Sequence, residues 1–277
     1  MRTVLLLDTN AMAYRAIFSG SKLDLTAPDG TPTGGLLTFY KGFMKLISAR
    51  SPTHVIALGD PPRATLHRKK LYPEYKDGRG SLPAEGLSEL QLCIEMFTHL
   101  DVTYIEIPGY EADDLIATLA RRWGTKKDTN VIICSPDKDL QQCITPTVKC
   151  LCPKTMMTTD AARAEAIWGL PPERIPDIQT ICGDSTDNIP GVKGIGMKTA
   201  LKLLLKYGDL QGIMQNLNDI PEVKRKAFRE VNLDIMRDLV TLVDDVVMDV
   251  RLKDIKYTSL NKDRAMPWFR SLGFKQI

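Results

Sequence analysis

Four short apolar runs punctuate the first half of this chain: Val4–Leu7, Val55–Leu58, Tyr104–Ile107 and Val131–Cys134. Each is followed by turn or helix signals and reads as a buried strand. Between them apolar positions recur at helical spacing, most clearly over Leu36–Ala49, Glu85–His99 and Asp113–Trp123. Strands alternating with helices predict an α/β fold with a mostly parallel central sheet and helices on both faces. Such sheets bind ligands beyond the carboxyl ends of their strands. From about Pro171 the pattern becomes helical, as in Thr199–Tyr207 and Leu233–Val243, and a glycine-rich turn interrupts it at Gly191–Gly196. The expected division is an α/β core over residues 1–170 and a helical region over residues 171–277.

The predicted strand ends carry the chemistry. Asp8 follows the first run and Asp60 the second; Glu111, Asp113 and Asp114 follow the third; Asp137 and Asp139 follow the fourth. Any one of these acids could serve only as a helix cap, Asp8 before Asn10–Ile17 among them, or as a first-turn acid favoured by the helix dipole. Convergence of all four strand ends on one edge points instead to a common site. Crowded carboxylates repel one another, and a divalent cation is the economical compensation. An all-oxygen donor set favours Mg²⁺ or Mn²⁺. In the helical region Asp184 and Asp187 stand three residues apart, on one face if helical.

Composition adds limits. The chain carries 37 basic and 34 acidic residues, so its net charge of +3 says little and the distribution decides. Nothing approaches the roughly eighteen apolar residues of a membrane span, and the first apolar run, ended by Asp8, is too short for a signal peptide. An intracellular, cytoplasmic protein is expected. Its six scattered cysteines fit reduced thiols, Cys150 and Cys152 being the only close pair.

Basic charge concentrates between Arg63 and Arg79, with Arg68 and Lys76 among the cations and Tyr72 and Tyr75 interleaved. Cations track a phosphate backbone, and aromatic faces stack on unpaired bases. The turn Gly191-Val192-Lys193-Gly194-Ile195-Gly196 opens a helix beginning Met197-Lys198. Glycines there permit close approach, and free N–H groups at a helix start attract phosphate. The pattern is similar to the hairpin of helix-hairpin-helix modules, which grip phosphates without reading sequence.

Taken in order, several motifs resemble the 5′-nuclease family, meaning the 5′→3′ exonuclease domain of bacterial DNA polymerase I and the flap endonucleases. They are Tyr14-Arg15-Ala16 after Asp8, Tyr75-Lys76 with Arg79, Gly109-Tyr110-Glu111-Ala112-Asp113-Asp114, Asp137-Lys138-Asp139, and Gly183-Asp184 with Asp187-Asn188 leading into the glycine turn. The resemblance implies a PIN-like 5′-nuclease fold with a C-terminal helix-hairpin-helix-type motif and a basic arch at about residues 63–84. It implies a first metal cluster of Asp8, Asp60, Glu111 and Asp113, and a second of Asp137, Asp139, Asp184 and Asp187 with Asp114 nearby. Lys76 and Arg79 match the residues at the scissile phosphate. Arg15, Arg68 and Tyr75 match substrate contacts, and Gly191, Lys193, Gly194, Gly196 and Lys198 match the duplex-holding hairpin. Backbone carbonyls of Val192 and Ile195 match a K⁺ site in that hairpin.

The function so implied is a structure-selective 5′→3′ exonuclease and 5′-flap endonuclease using two or more Mg²⁺ or Mn²⁺ ions. Its expected partners are DNA with free 5′ ends, flaps or nicks, with RNA primers and a DNA polymerase as further ones, and the chain is expected to act as a monomer. An inactive structure-selective DNA-binding protein and a metal-dependent ribonuclease are the rival readings. Two departures stand out: Gly59 precedes Asp60 where polymerase-linked members have Phe, and Ser135-Pro136 precedes Asp137 where a glycine is usual.

Overall fold

The structure, a computed structural model, describes residues 1–275; the last two positions of the expected helical region, Gln276 and Ile277, lie outside it. Six strands form one sheet: β1 (Arg2–Asp8), β2 (His54–Leu58), β3 (Thr103–Ile105), β4 (Thr129–Cys134), β5 (Val148–Leu151) and β6 (Thr158–Thr159). Their order is β3-β2-β1-β4-β5-β6, with every pairing parallel except β5–β6. The chain leaves β1 toward β2 on one side and returns to β4 on the other. The strand order thus reverses between β1 and β4, where α/β sheets open a ligand crevice.

Alternation along β1 divides the core. Val4 and Leu6 face one layer and Leu5 and Leu7 the other, all fully buried. The second layer holds α1 (Thr9–Gly20), α2 (Gly34–Arg50) and α4 (Ala84–His99), joined by the last helix, α12 (Lys262–Ser271), through Ala265 and Phe269. The first layer holds α5 (Ala112–Gly124) and α6 (Ala161–Trp168). It continues without a break into α7 (Ile175–Cys182), α8 (Met197–Tyr207), α9 (Leu210–Gln215), α10 (Glu222–Glu230) and α11 (Leu233–Val240). The short helix α3 (His67–Leu71) belongs to the basic segment, and a two-residue ribbon, β7 (Gly183–Asp184) with β8 (Ile189–Pro190), precedes α8.

After α11 the chain runs extended over α5. Three α5 side chains at helical spacing hold it. Asp114 accepts from Val243 N–H (2.9 Å), Thr118 accepts from Val246 N–H (3.1 Å), and Arg122 donates to the carbonyl of Met248 (3.0 Å). This clamp ends α11 at Val240, short of the expected Val243. Leu242 and Val243 spend their N–H groups on Gln142 and Asp114 instead of on the helix.

Candidate active site

Asp8 ends β1, and its carboxylate does two jobs. Oδ1 caps α1 by accepting from Ala11 N–H (3.1 Å), while Oδ2 accepts from the Ser135 hydroxyl (2.5 Å). Asp8 therefore caps α1 and also stands at the carboxyl edge of the sheet. Ser135 also accepts from Asp137 N–H (2.9 Å), so the unusual Ser135-Pro136 pair ties β1 to β4 across the crevice. Asp60 accepts from Ala112 N–H (2.7 Å) at the start of α5, and its own N–H donates to Asn10 (3.1 Å). Gly59 is explained by Tyr104, whose ring occupies the space a Cβ at residue 59 would need.

Asp8, Asp60, Asp113 and Asp137 line one cavity of about 540 Å³, with Asn10, Tyr14, Lys76, Arg79 and Glu111 also on its wall. Burial pushes the Asp8 carboxyl up to about 7, with Asp60 adding repulsion. Burial likewise raises Asp60, where Glu111 adds to the repulsion. Asp113 rises well above the ordinary range through burial and then Asp137 and Asp8. Lys76 and Arg79 offset this only in part, none of these acids forms an ion pair among the described residues, and their oxygen donors are of the kind a hard divalent cation takes. Among the described residues no three acidic, histidine or cysteine side chains are grouped so as to hold an ion.

Three of the remaining acids, Glu111, Asp184 and Asp187, are paired with cations of the protein itself. Glu111 pairs with Lys76, accepts from Arg68 (3.1 Å), and accepts from the Tyr75 hydroxyl (2.9 Å). Burial pushes its carboxyl up, but Lys76 and Arg68 together hold it below the usual range. Asp187 pairs with Arg79 and, at 3.6 Å, with Lys76. Asp184 accepts from Lys138 (3.1 Å) and Thr186 N–H (2.8 Å). Asp139 accepts from Gln179 (2.7 Å), and burial together with Asp137 pushes it up to about 7.

Three of the expected site residues lie inside the protein. Asp114 is fully buried and its oxygens are saturated: Arg68 donates to both (2.7 Å each), and the N–H groups of Glu111 (3.1 Å) and Val243 (2.9 Å) take the rest. It has no lone pair left for a metal. Arg68 is 1 % exposed and spends its other donors on Glu111 and on the carbonyls of Leu239 (3.1 Å) and Thr241 (3.0 Å), turning its guanidinium inward. Tyr75 is 3 % exposed and packs with Leu66, Ile189, Met236, Leu239 and Val240, so its ring does not offer a stacking face. The basic segment is therefore pinned down at its middle.

Lys76 is presented by a strained turn. Its φ of 58° lies in the left-handed region, as does that of Asn188 at 56°. The two turns interlock, Lys76 N–H donating to the Asp187 carbonyl (2.8 Å) and the Asn188 amide to the Glu74 carbonyl (2.8 Å). Arg63 closes the segment by donating to the Arg79 carbonyl (2.9 Å). Asn10 and Gln179 carry no signal in the sequence, because a lone polar residue shows no pattern until its partner is known. Arg15 lies exposed on α1, where its neighbour Tyr14 reaches the cavity.

At the glycine turn the glycines separate into two kinds. Gly183 (φ 70°) and Gly191 face each other across the β7–β8 ribbon so closely that a Cβ on either would strike backbone. Gly191 thus serves close packing of the ribbon. Gly194 (φ 76°) and Gly196 have open space around them. Val192 and Ile195 are buried and anchor the turn, while Lys193 and Lys198 are exposed.

The chain is similar to known proteins over most of its length. Residues 3–169 match the model for the 5′-3′ exonuclease N-terminal resolvase-like domain, and residues 170–263 match the 5′-3′ exonuclease C-terminal SAM fold. The chain belongs to the 5′-3′ exonuclease family. It is 33% identical to a 5′-3′ exonuclease of Aquifex aeolicus over all of its own length and 94% of that protein. It is 31% identical to DNA polymerase I of Bacillus subtilis, but spans only 32% of that longer chain. In fold it resembles the zinc-bound phage T5 5′-exonuclease (TM-score 0.73, 22% identity, covering 88% of this chain and 90% of that one). It also resembles flap endonuclease-1 of Methanococcus jannaschii (TM-score 0.60, 18% identity, covering 97% and 85%). As a family member the chain is a phosphodiester hydrolase.

Proposed function

We propose that the chain is a divalent-metal-dependent, structure-selective 5′→3′ exonuclease and 5′-flap endonuclease acting on DNA. The observation that carries this reading is the cavity in which Asp8, Asp60, Asp113 and Asp137 meet, none of them ion-paired among the described residues, with Lys76 and Arg79 on its wall. Asp8, Asp60, Asp113 and Asp137 would hold Mg²⁺ or Mn²⁺, which when bound supplies a more acidic water and charge stabilisation at the phosphate. Asp139, Asp184 and Asp187 would serve a further ion once Lys138 and Arg79 are drawn off by substrate.

Phosphate binding exchanges ion pairs. Lys76 and Arg79 leave Glu111 and Asp187 for the scissile phosphate, where they stabilise charge in the transition state. The same exchange frees those carboxylates, so metal and substrate reinforce one another. Arg68 and Tyr75 hold Glu111 in place throughout. Gly194, Gly196, Lys193 and Lys198 would grip the duplex, with Val192 and Ile195 carbonyls offered to K⁺.

Bacterial relatives that include a polymerase favour work on nicked or flapped DNA in the cytoplasm, removing RNA primers or damaged strands beside a polymerase. No described helix is long and apolar enough to cross a membrane.

The deciding measurement is cleavage of a 5′-flap DNA in Mg²⁺ by this chain and by an Asp113→Asn/Asp184→Asn variant. Cutting near the junction, lost in the variant while DNA binding persists, supports the reading. Binding without cutting in either Mg²⁺ or Mn²⁺ returns the inactive DNA-binding protein. Faster cutting of a matched RNA flap returns the ribonuclease.

A further inference from the structure

Helix α8 begins at the glycine turn and carries Lys198, Lys202 and Lys206 at four-residue spacing. Each step of four advances about 40° around the axis and about 6 Å along it. The inward side is fixed by Ala200 and Leu204, fully buried, with Leu201 and Leu203 packed on the core. The three lysines project on the opposite side and are exposed. No acidic residue occurs from Gly191 through Gly208. Among the described residues neither Lys193 nor any of these lysines forms an ion pair. Lys206 rests 4.6 Å over the ring of Tyr207 and bonds its hydroxyl (2.7 Å).

A basic helix is usually a solvated face, and α10 shows what that looks like here. Its cations lie between an acid at each end, and Arg225 pairs with Glu222 while Lys226 pairs with Glu230. Helix α8 has no such internal neutralisation, although four lysines within one turn and helix repel one another. An external polyanion removes that repulsion.

We propose that Lys202 and Lys206 extend the phosphate grip of the glycine turn along α8, forming with Lys198 a track for the backbone of duplex DNA. The inference rests on the DNA-nuclease reading above and goes beyond it by assigning these two lysines and by setting how much duplex the protein engages. The three charges span about 12 Å of helix axis, against one phosphate per roughly 3.4 Å of duplex axis along a strand. Single-strand tracks use aromatic stacking platforms, and the one aromatic ring of α8, Tyr207, is covered by Lys206. That favours duplex over the displaced flap.

The test measures affinity by fluorescence anisotropy in EDTA, so that no strand is cut, on 5′-flap DNA with duplex arms of graded length. Neutralising two phosphate contacts in Lys202→Gln/Lys206→Gln lowers the log–log salt slope by about 2, so the affinity lost between about 50 and 200 mM salt shrinks about tenfold. The deficit vanishes on arms too short to reach the track, and Lys202→Arg/Lys206→Arg keeps the parental slope. An unchanged slope in a Gln variant that melts like the parent overturns the track. So does a deficit that follows flap length instead of duplex length. Should the parent cut flap DNA while the slope stays unchanged, only the track fails. Should the parent neither bind nor cut flap DNA, the nuclease reading fails and the track with it.

Discussion

At the carboxyl edge of the sheet the charges are buried: Arg68 is 1 % exposed, Asp114 0 % and Glu111 5 %. At the glycine turn Lys193 and Lys198 stand in solvent. Both regions are suited to phosphate, yet their energetics differ. In the first, charges removed from water are matched against one another by fixed partners, and removing one partner strands the other. In the second, each lysine is hydrated and screened, and contributes only when a phosphate arrives. In the proposed function the buried set positions chemistry and the exposed set gathers substrate. Mutations in the two regions should therefore fail in different ways.

The largest contrast is catalytic. Asp113→Asn should reduce flap cleavage at least about a thousandfold, several kcal/mol of transition-state stabilisation, with little change in DNA affinity. Single-turnover rates on pre-bound DNA check this, and a loss confined to affinity would erase the distinction between the regions. Next comes stability. Arg68→Gln leaves Asp114 buried without its cation and should lower unfolding stability by about 3–5 kcal/mol. A double Arg68→Met/Asp114→Leu variant should recover much of that in denaturant melts while remaining poorly active, because Glu111 loses a holder.

pH sharpens the comparison further. Asp8 and Asp139 have folded pKa values near 7 against ordinary values near 4. The folded chain then binds more protons than the unfolded chain across that window, so stability is greatest below it and is lost as pH rises toward 7. In EDTA the melting temperature should fall by several degrees, roughly, between about pH 5 and 8, and Mg²⁺ should flatten the fall. A flat profile in EDTA would mean that these acids are not confined as described. The smallest effect belongs to the exposed region. Lys193→Ala should leave the melting temperature within about a degree, weaken DNA binding modestly, and reduce the salt slope by about 1.

Much of the fold was legible because burial on both faces writes continuous apolar runs, as at Val4–Leu7 and Val131–Cys134. Strand β5 escaped because Lys149 interrupts Val148–Leu151 with an exposed position, and β6 is two residues long. The strand-end acids were legible because topology places every such end on one edge. Their grouping was not. Whether Glu111 faces a metal or Lys76 depends on a segment some thirty-five residues earlier in the chain, and no local spacing encodes that distance.

Sequence alone determined the element types, the edge to which the carboxylates go, and the glycine turn with its lysines, because periodicity and chain order fix these locally. Only tertiary structure decided that Arg68 and Asp114 are buried partners, that Tyr104 fills the space of Gly59, and that Gly191 is needed for packing while Gly194 stays open. Those outcomes depend on which distant surfaces meet. A side chain's role follows from the donors, acceptors and charges packed around it, and these come from segments far apart in the chain.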